Sequence, residues 1–129
     1  GVMAVDALAA MEMGGMCCTL RLSDTGIIPG SGAGNTRHTL NHSTLGVPVI
    51  AIGVPTGIDS ATLVLDNLGR AGLSLGNTPP DALRRLERLL VTPKDIDALI
   101  KRSAKVIALA INRALHPGMS SDELEQFLL

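Results

Sequence analysis

Aromatic residues are almost missing from this chain: it has no tryptophan and no tyrosine, and Phe127 stands alone. Base-stacking platforms and aromatic cages for cations therefore have nothing to be built from, and the core must be aliphatic. An excess of one charge is also missing. Eleven Lys and Arg against twelve Asp and Glu leave a formal net charge of −1, which gives no overall attraction for nucleic acid, and no nucleic-acid partner is expected. Cysteine is limited to Cys17 and Cys18. Neighbours in sequence make a strained bridge and no disulfide framework, so the pair fits a reducing, cytoplasmic setting. Without a nearby His or a C-x-x-C spacing they read as small buried apolar side chains. Long hydrophobic runs are lacking too. The apolar stretches near Ile50 and Ile107 are too short or too charged to span a bilayer, and Gly1 to Val5 has no basic region of a signal peptide, so no membrane association is expected.

What is present suits a single packed domain: 129 residues, of which 46% are hydrophobic and 18% charged. Val2 to Val5 is a uniformly apolar run ending at Asp6, the pattern of a buried parallel strand whose carboxyl end meets a loop. Because an α/β domain rarely opens on a central strand, Gly1 reads as the edge of a fragment. Thr19 to Leu22 alternates like a half-exposed strand, and Val47 to Ile52 reads as another buried one. Asp59 is placed to cap a helix carrying Leu63, Val64 and Leu68. Residues 69–80, rich in Gly and ending in Pro-Pro, read as a flexible linker or trimmed insertion. Asp81 then caps a short amphipathic helix with Leu83, Leu86, Leu89 and Leu90 on one side. A longer helix follows, with Thr92 as N-cap, Pro93 in the first helical position and Asp95 in the first turn. Its apolar residues from Ile96 to Leu115 recur at three- and four-residue steps, predicting one face packed on the sheet. Pro117-Gly118 ends it beside His116, and Ser121 to Leu129 forms a short terminal helix. The fold class is α/β, a mixed or mostly parallel sheet in three layers with flanking helices, here a partial domain.

Chemistry concentrates between Ser23 and Thr56. The run S-D-T-G-I-I-P-G-S-G-A-G-N, a polar span, then T-L-G-V-P-V-I-A-I-G-V-P-T sets an acidic turn and a glycine-rich loop before an apolar strand. Asp6, where the first strand exits, is either a site carboxylate or the cap of a helix starting at Ala7. Asp24 is either a neighbour of the site or an Asx-turn acceptor. D-T-G is also the motif of pepsin-like aspartic proteases, but those are all-β and supply it from paired loops, so that likeness is coincidental. The loop Gly30 to Asn35 lacks the Gly-Lys-Ser/Thr of a P-loop and the G-x-G-x-x-G spacing; an anion cradle is its alternative role. His38 and His42 would share a helical face, but no third ligand is identifiable by spacing, and no metal or cofactor is expected.

The segments A-V-D-A-L-A at Ala4 to Ala9, S-D-T-G-I-I-P-G-S-G-A-G-N, and V-T-P-K-D-I-D from Val91 together resemble the germination protease family of spore-forming bacteria. The resemblance covers Val2 to Thr56 and resumes from Val91 to about Gly118. It departs at Ile28, where many relatives have His, and at Met11 to Met16, where charged residues are usual. It implies a fold similar to that of the phosphorylases and hydrogenase maturation proteases, and an endopeptidase using two aspartates to activate water. Asp6 matches one aspartate; the other is implied to lie upstream of Gly1, so the chain would hold half an active site. A G-N-x-P-x-D-A-L echo at Asp81 stands in the wrong order and is read as a helix cap. The resemblance further implies protein substrates, the small acid-soluble spore proteins, together with zymogen synthesis, homo-oligomeric assembly and a cytoplasmic spore-core location. Two alternatives are a binding or assembly module whose glycine loop holds an anion, and a metal-dependent peptidase of the hydrogenase-maturation type.

Overall fold

The computed structural model describes residues 1–31, 35, 37–74, 76, 80–87 and 89–126. Its contacts divide the chain into two units, Gly1–Lys94 and Asp95–Leu129. One long strand organises the first unit: β3 (Val49–Asp59), whose Val49, Ala51, Ile52, Val54 and Ile58 are buried. β1 (Val2–Ala9) runs parallel to it, from Val2 opposite Val49 to Leu8 opposite Pro55. The register then slips so that Ala9 faces Gly57, a bulge that absorbs Thr56. β2 (Arg21–Ser23) pairs antiparallel with Gly53 to Ala51. The two-residue β4 (Leu90–Val91) pairs antiparallel with Asp59 and Ile58. Among the described residues the sheet is mixed, in the order β1-β3-β2 with β4 also on β3. The α/β class holds, with helices beside a mixed sheet.

Several boundaries differ from the sequence reading, each for a physical reason. β3 continues seven residues past Ile52, through Gly53, Pro55 and Gly57, residues that ordinarily punctuate a chain. Here neighbouring side chains fill the space over both glycines: a Cβ on Gly53 would collide with Leu8, and one on Gly57 would sit 3.1 Å from Leu90. Pro55 lies beside the bulge and past the end of β2, where a missing N–H costs no ladder bond to that strand. β1 is parallel as expected, but it is an edge strand, with Met3 41% and Val5 53% exposed. β2 begins two residues later than the alternation suggested. Cys17 is half-buried and Cys18 exposed, so the pair is not the buried apolar unit expected. Cys17 has φ 55, and its N–H donates to the Pro55 carbonyl at 2.6 Å.

α1 (His42–Leu45) is one capped turn: Asn41 Oδ1 accepts from Thr44 N–H at 2.9 Å, Thr44 Oγ1 accepts from Asn41 N–H at 3.1 Å, and Gly46 closes it at φ 70. α2 (Ser60–Arg70) starts where expected, with Asp59 accepting from the Thr62 amide at 2.8 Å and its hydroxyl at 2.5 Å. Those bonds, the hydroxyl's first, hold the Asp59 carboxyl below its ordinary value against a smaller opposing effect of burial. Buried Ser60 donates its hydroxyl to the Leu86 carbonyl of α3 (Pro80–Leu86). Pro80 opens α3 and Asp81 sits in its first turn, so Asp81 is not the cap. Leu90 belongs to β4, not to the apolar side of α3. Of residues 69–80, Gly69 and Arg70 end α2 and Pro80 starts α3; Leu75 and 77–79 lie outside the described residues, as does Arg88.

In the second unit, α4 (Ile96–Leu115) has Asp95 as its N-cap, three residues after Thr92. His116 is the C-cap, its N–H donating to the Asn112 carbonyl at 2.8 Å. α5 (Ser121–Gln126) opens on a capping box, with Glu123 accepting from Ser120 N–H at 2.8 Å and Ser120 Oγ accepting from Glu123 N–H at 3.3 Å. Leu124 and Ile107 are the buried residues of this pair of helices. Phe127 to Leu129 lie outside the described residues.

Candidate active site

Asp6 is the fifth residue of β1, not its tip, and no helix starts at Ala7. Its placement at the strand exit and its role as a helix cap are therefore corrected. The strand continues because Ala7 to Ala9 keep pairing with Val54 to Gly57. Side chains opposite one another in register share a face, so Asp6, Gly53 and Arg21 form one row across β1, β3 and β2. The half-buried carboxylate is fixed at both oxygens. Oδ1 accepts from the Ala7 N–H at 2.9 Å and Oδ2 from the Gly30 N–H at 3.1 Å. Neither partner is a cation, and each oxygen keeps lone pairs for a further donor such as water.

Gly30 ties the strand to the glycine loop 24 residues away in sequence. The loop is drawn closed by its own backbone. Ile27 and Leu40 exchange hydrogen bonds of 2.9 and 2.8 Å, Arg37 N–H donates to the Pro29 carbonyl at 3.0 Å, and Asn35 N–H to the Gly30 carbonyl at 3.0 Å. Gly30 has φ 75 and a Cβ there would collide with the Asn35 carbonyl. Conformation and space both demand glycine at the residue whose amide orients Asp6. With that amide already given to a carboxylate, it is not free for an anionic ligand. Gly32, Ala33 and Gly34 lie outside the described residues.

Asp24 is exposed on the bend after β2 and has no hydrogen bond or ion pair among the described residues. The turn is held instead by Ser23, whose Oγ accepts from the Thr25 N–H at 3.0 Å and shares a 2.6 Å bond with Thr25 Oγ1. The Asx-turn role is thus replaced by a serine turn of the same shape. Ser23 itself stands opposite Ala51, which stands opposite Ala4, one row from Asp6 on the same face. His38 is in loop and His42 begins α1, so the two do not share a helical face. Among the described residues no group of three or more His, Cys, Asp and Glu side chains is arranged around a common point, and no helix is long and apolar enough to cross a membrane.

A cavity of about 190 Å³ beyond the Asp6 row is lined by Ala10, Met11, Glu12, Gly15, Thr19, Arg21 and Pro55. Glu12 is held by Arg70 at 3.0 Å, and Arg70 is also held by Asp66 at 3.1 Å. Arg21 has no ionic partner among the described residues. Sequence reasoning missed Arg21 because its place depends on strand register, with Gly53 opposite it, and the Gly30 amide because its bond to Asp6 spans 24 residues.

The sequence profile described as germination protease matches residues 1–73, the stretch that contains Asp6, Asp24 and the glycine loop. Proteins named germination protease match almost the whole chain: 35% identity in Clostridium acetobutylicum and 37% in Caldanaerobacter subterraneus subsp. tengcongensis, each over 98% of this chain and 46% of the relative. The chain belongs to the germination protease family. The Bacillus pumilus germination protease is 35% identical over 98% of this chain and 48% of its own length. The chain thus spans about half the length of the germination proteases it matches. Within this family the Asp6 strand and the glycine loop are both inside the profile, and the Asp6–Gly30 bond joins them.

Proposed function

We propose that this chain carries one carboxylate of a two-carboxylate endopeptidase, with Asp6 as that group. The observation that carries the reading is the Asp6 carboxylate oriented by Ala7 and Gly30 where the two family segments meet. A lone aspartate with a pKa near 3.9 is a poor base at neutrality. Two close carboxylates repel, so that one keeps a proton while the other is ionised. The ionised one takes a proton from water, whose oxygen bonds to the peptide carbonyl carbon. The protonated one gives its proton to the amide nitrogen as the C–N bond breaks. The second carboxylate is assigned to the half of the family's length that this chain does not span. Asp24 is the supporting candidate on the loop side, with no hydrogen bond or ion pair among the described residues.

By family, the whole protein is a germination protease that cleaves small acid-soluble spore proteins in the spore core, assembled from identical subunits and made as a zymogen. The same reading extends the mixed sheet to three layers resembling the hydrogenase maturation proteases. Asp6→Asn in a family-length protein is expected to lower peptide hydrolysis at least about a hundredfold with an unchanged circular dichroism spectrum. Undiminished cleavage would remove Asp6 from the mechanism.

A further inference from the structure

We propose that the loop between β1 and β2 binds a single Cu(I) ion through the thiolates of Cys17 and Cys18 and the thioethers of Met13 and Met16. Three of the chain's five methionines and both of its cysteines fall within residues 11–18, in the run M-E-M-G-G-M-C-C. Sulfur is the soft donor among protein side chains. Thiolate and thioether together select Cu(I), whereas harder cations such as Mg²⁺ and Ca²⁺ take oxygen. Two of the four donors are methionines, so the set is distinct from any group of His, Cys, Asp and Glu.

The backbone folds this run back on itself twice. Met13–Gly15 is a single 3₁₀ turn, closed by the Met16 N–H donating to the Met13 carbonyl at 3.3 Å. Residues three apart on such a turn share a side, which groups Met13 with Met16. A second turn overlaps the first. Met16 has φ −69 and ψ 121, Cys17 has φ 55, and the Cys18 N–H donates to the Gly15 carbonyl at 3.4 Å. That is the pattern of a type II turn, with Cys17 at the position that favours glycine. A thiol side chain is therefore carried where the backbone disfavours any side chain. Both turns are anchored. The Cys17 N–H donates to the Pro55 carbonyl of β3 at 2.6 Å, and Thr19 Oγ1 donates to the Gly15 carbonyl at 3.0 Å. The Met13 N–H donates to Asp66 Oδ2 of α2 at 3.3 Å, and Asp66 is held in turn by Arg70 at 3.1 Å. Four sulfur donors within six residues thus sit on a shape fixed to β3 and α2 before an ion arrives, which lowers the ordering cost of binding. No electron moves on binding: each ligating cysteine loses its proton to solvent as its Cu–S bond forms, and each thioether donates a lone pair.

The reduced protein is titrated anaerobically with Cu(I) against a chromogenic Cu(I) chelator, and the methionine ε-methyl groups are followed by NMR. A single ion per chain is expected, with the Met13 and Met16 methyl signals shifted and those of Met3 and Met119 unmoved. Met13→Leu combined with Met16→Leu keeps the apolar bulk and is expected to weaken binding at least about tenfold. Cys17→Ser combined with Cys18→Ser is expected to abolish it. Met11 lies outside both turns and lines the cavity beside the loop, so Met11→Leu is expected to leave the affinity unchanged. Half an ion per chain would mean that thiols of two molecules bridge it, and would overturn the site. Binding that survives the Met13 and Met16 replacements undiminished would also overturn it, as would a Met11→Leu loss as large as theirs. Should the serine variant misfold by circular dichroism, the methyl signals and the leucine variant still decide.

Discussion

Gly53 shows how one residue sets the floor of the candidate site. It lies between Asp6 and Arg21 in the cross-strand row, and the Leu8 side chain occupies the space a Cβ would need. Its φ is not positive, so alanine fits the backbone and gains about 0.4–1 kcal/mol from a stiffer unfolded chain. Displacing Leu8 costs about 1–3 kcal/mol, which outweighs that gain and makes the change unfavourable. Gly53→Ala is expected to destabilise by about 1 kcal/mol in urea unfolding, and Gly57→Ala by less, because Leu90 lies farther off at 3.1 Å. Leu8→Ala combined with Gly53→Ala should be more stable than the two single losses added together, since the second change removes the atoms with which the first collides. Additive losses would show that Leu8 does not fill this space.

At the scale of elements, what the chain discloses on its own is what short-range bonds decide. The α2 cap is readable because Asp59 and Thr62 stand three residues apart and answer each other's polar groups. In wild type, the lowered Asp59 carboxyl contributes stability that is complete above its unfolded value near 3.9 and is lost as pH falls through its lower folded value. Asp59→Ala is expected to cost about 1 kcal/mol at neutral pH and to flatten the stability profile below about pH 4; an unchanged acid limb in the variant would contradict this. The full length of β3 is hidden from a local reading because Gly53, Pro55 and Gly57 carry turn signals that only Leu8, Leu90 and the bulge override. Those partners come from distant strands, so no local window contains the answer. The start of α4 is misplaced by a local reading: T-P-K-D reads as a cap at Thr92, whereas the helix begins after Asp95, whose side chain makes no capping bond. The candidate site divides the same way. Asp6 is legible from its motif, whereas its Gly30 partner lies 24 residues away, and the turn at Asp24 closes one residue earlier than an Asx-turn would, on the Ser23 hydroxyl and the Thr25 amide.

At the scale of the whole molecule, the low aromatic content and near-neutral charge leave aliphatic burial as the main cohesive force, yet part of that surface stays outside. On the face of the sheet opposite Asp6, Met3 stands beside Ile50, and Val5, Ile52 and Leu22 form the next row. Ile52 is buried between its neighbours, while Ile50 is 45% and Leu22 73% exposed. A contiguous apolar face of this kind exceeds the scatter of single hydrophobic residues common on protein surfaces, and it accords with a chain that spans 46% of relatives such as the Clostridium acetobutylicum protease. The chain as it stands is therefore expected to bind an apolar dye such as ANS in its native state. Leu22→Lys places a charge at the most exposed point of the row, next to strand partners that do not depend on its side chain for their hydrogen bonds. It should lower dye fluorescence severalfold and raise solubility, and should change unfolding free energy by no more than about 0.5 kcal/mol. Unaltered fluorescence together with a loss above about 1 kcal/mol would mean that Leu22 is covered in solution, and the apolar face would then have to be assigned a packing role within the molecule.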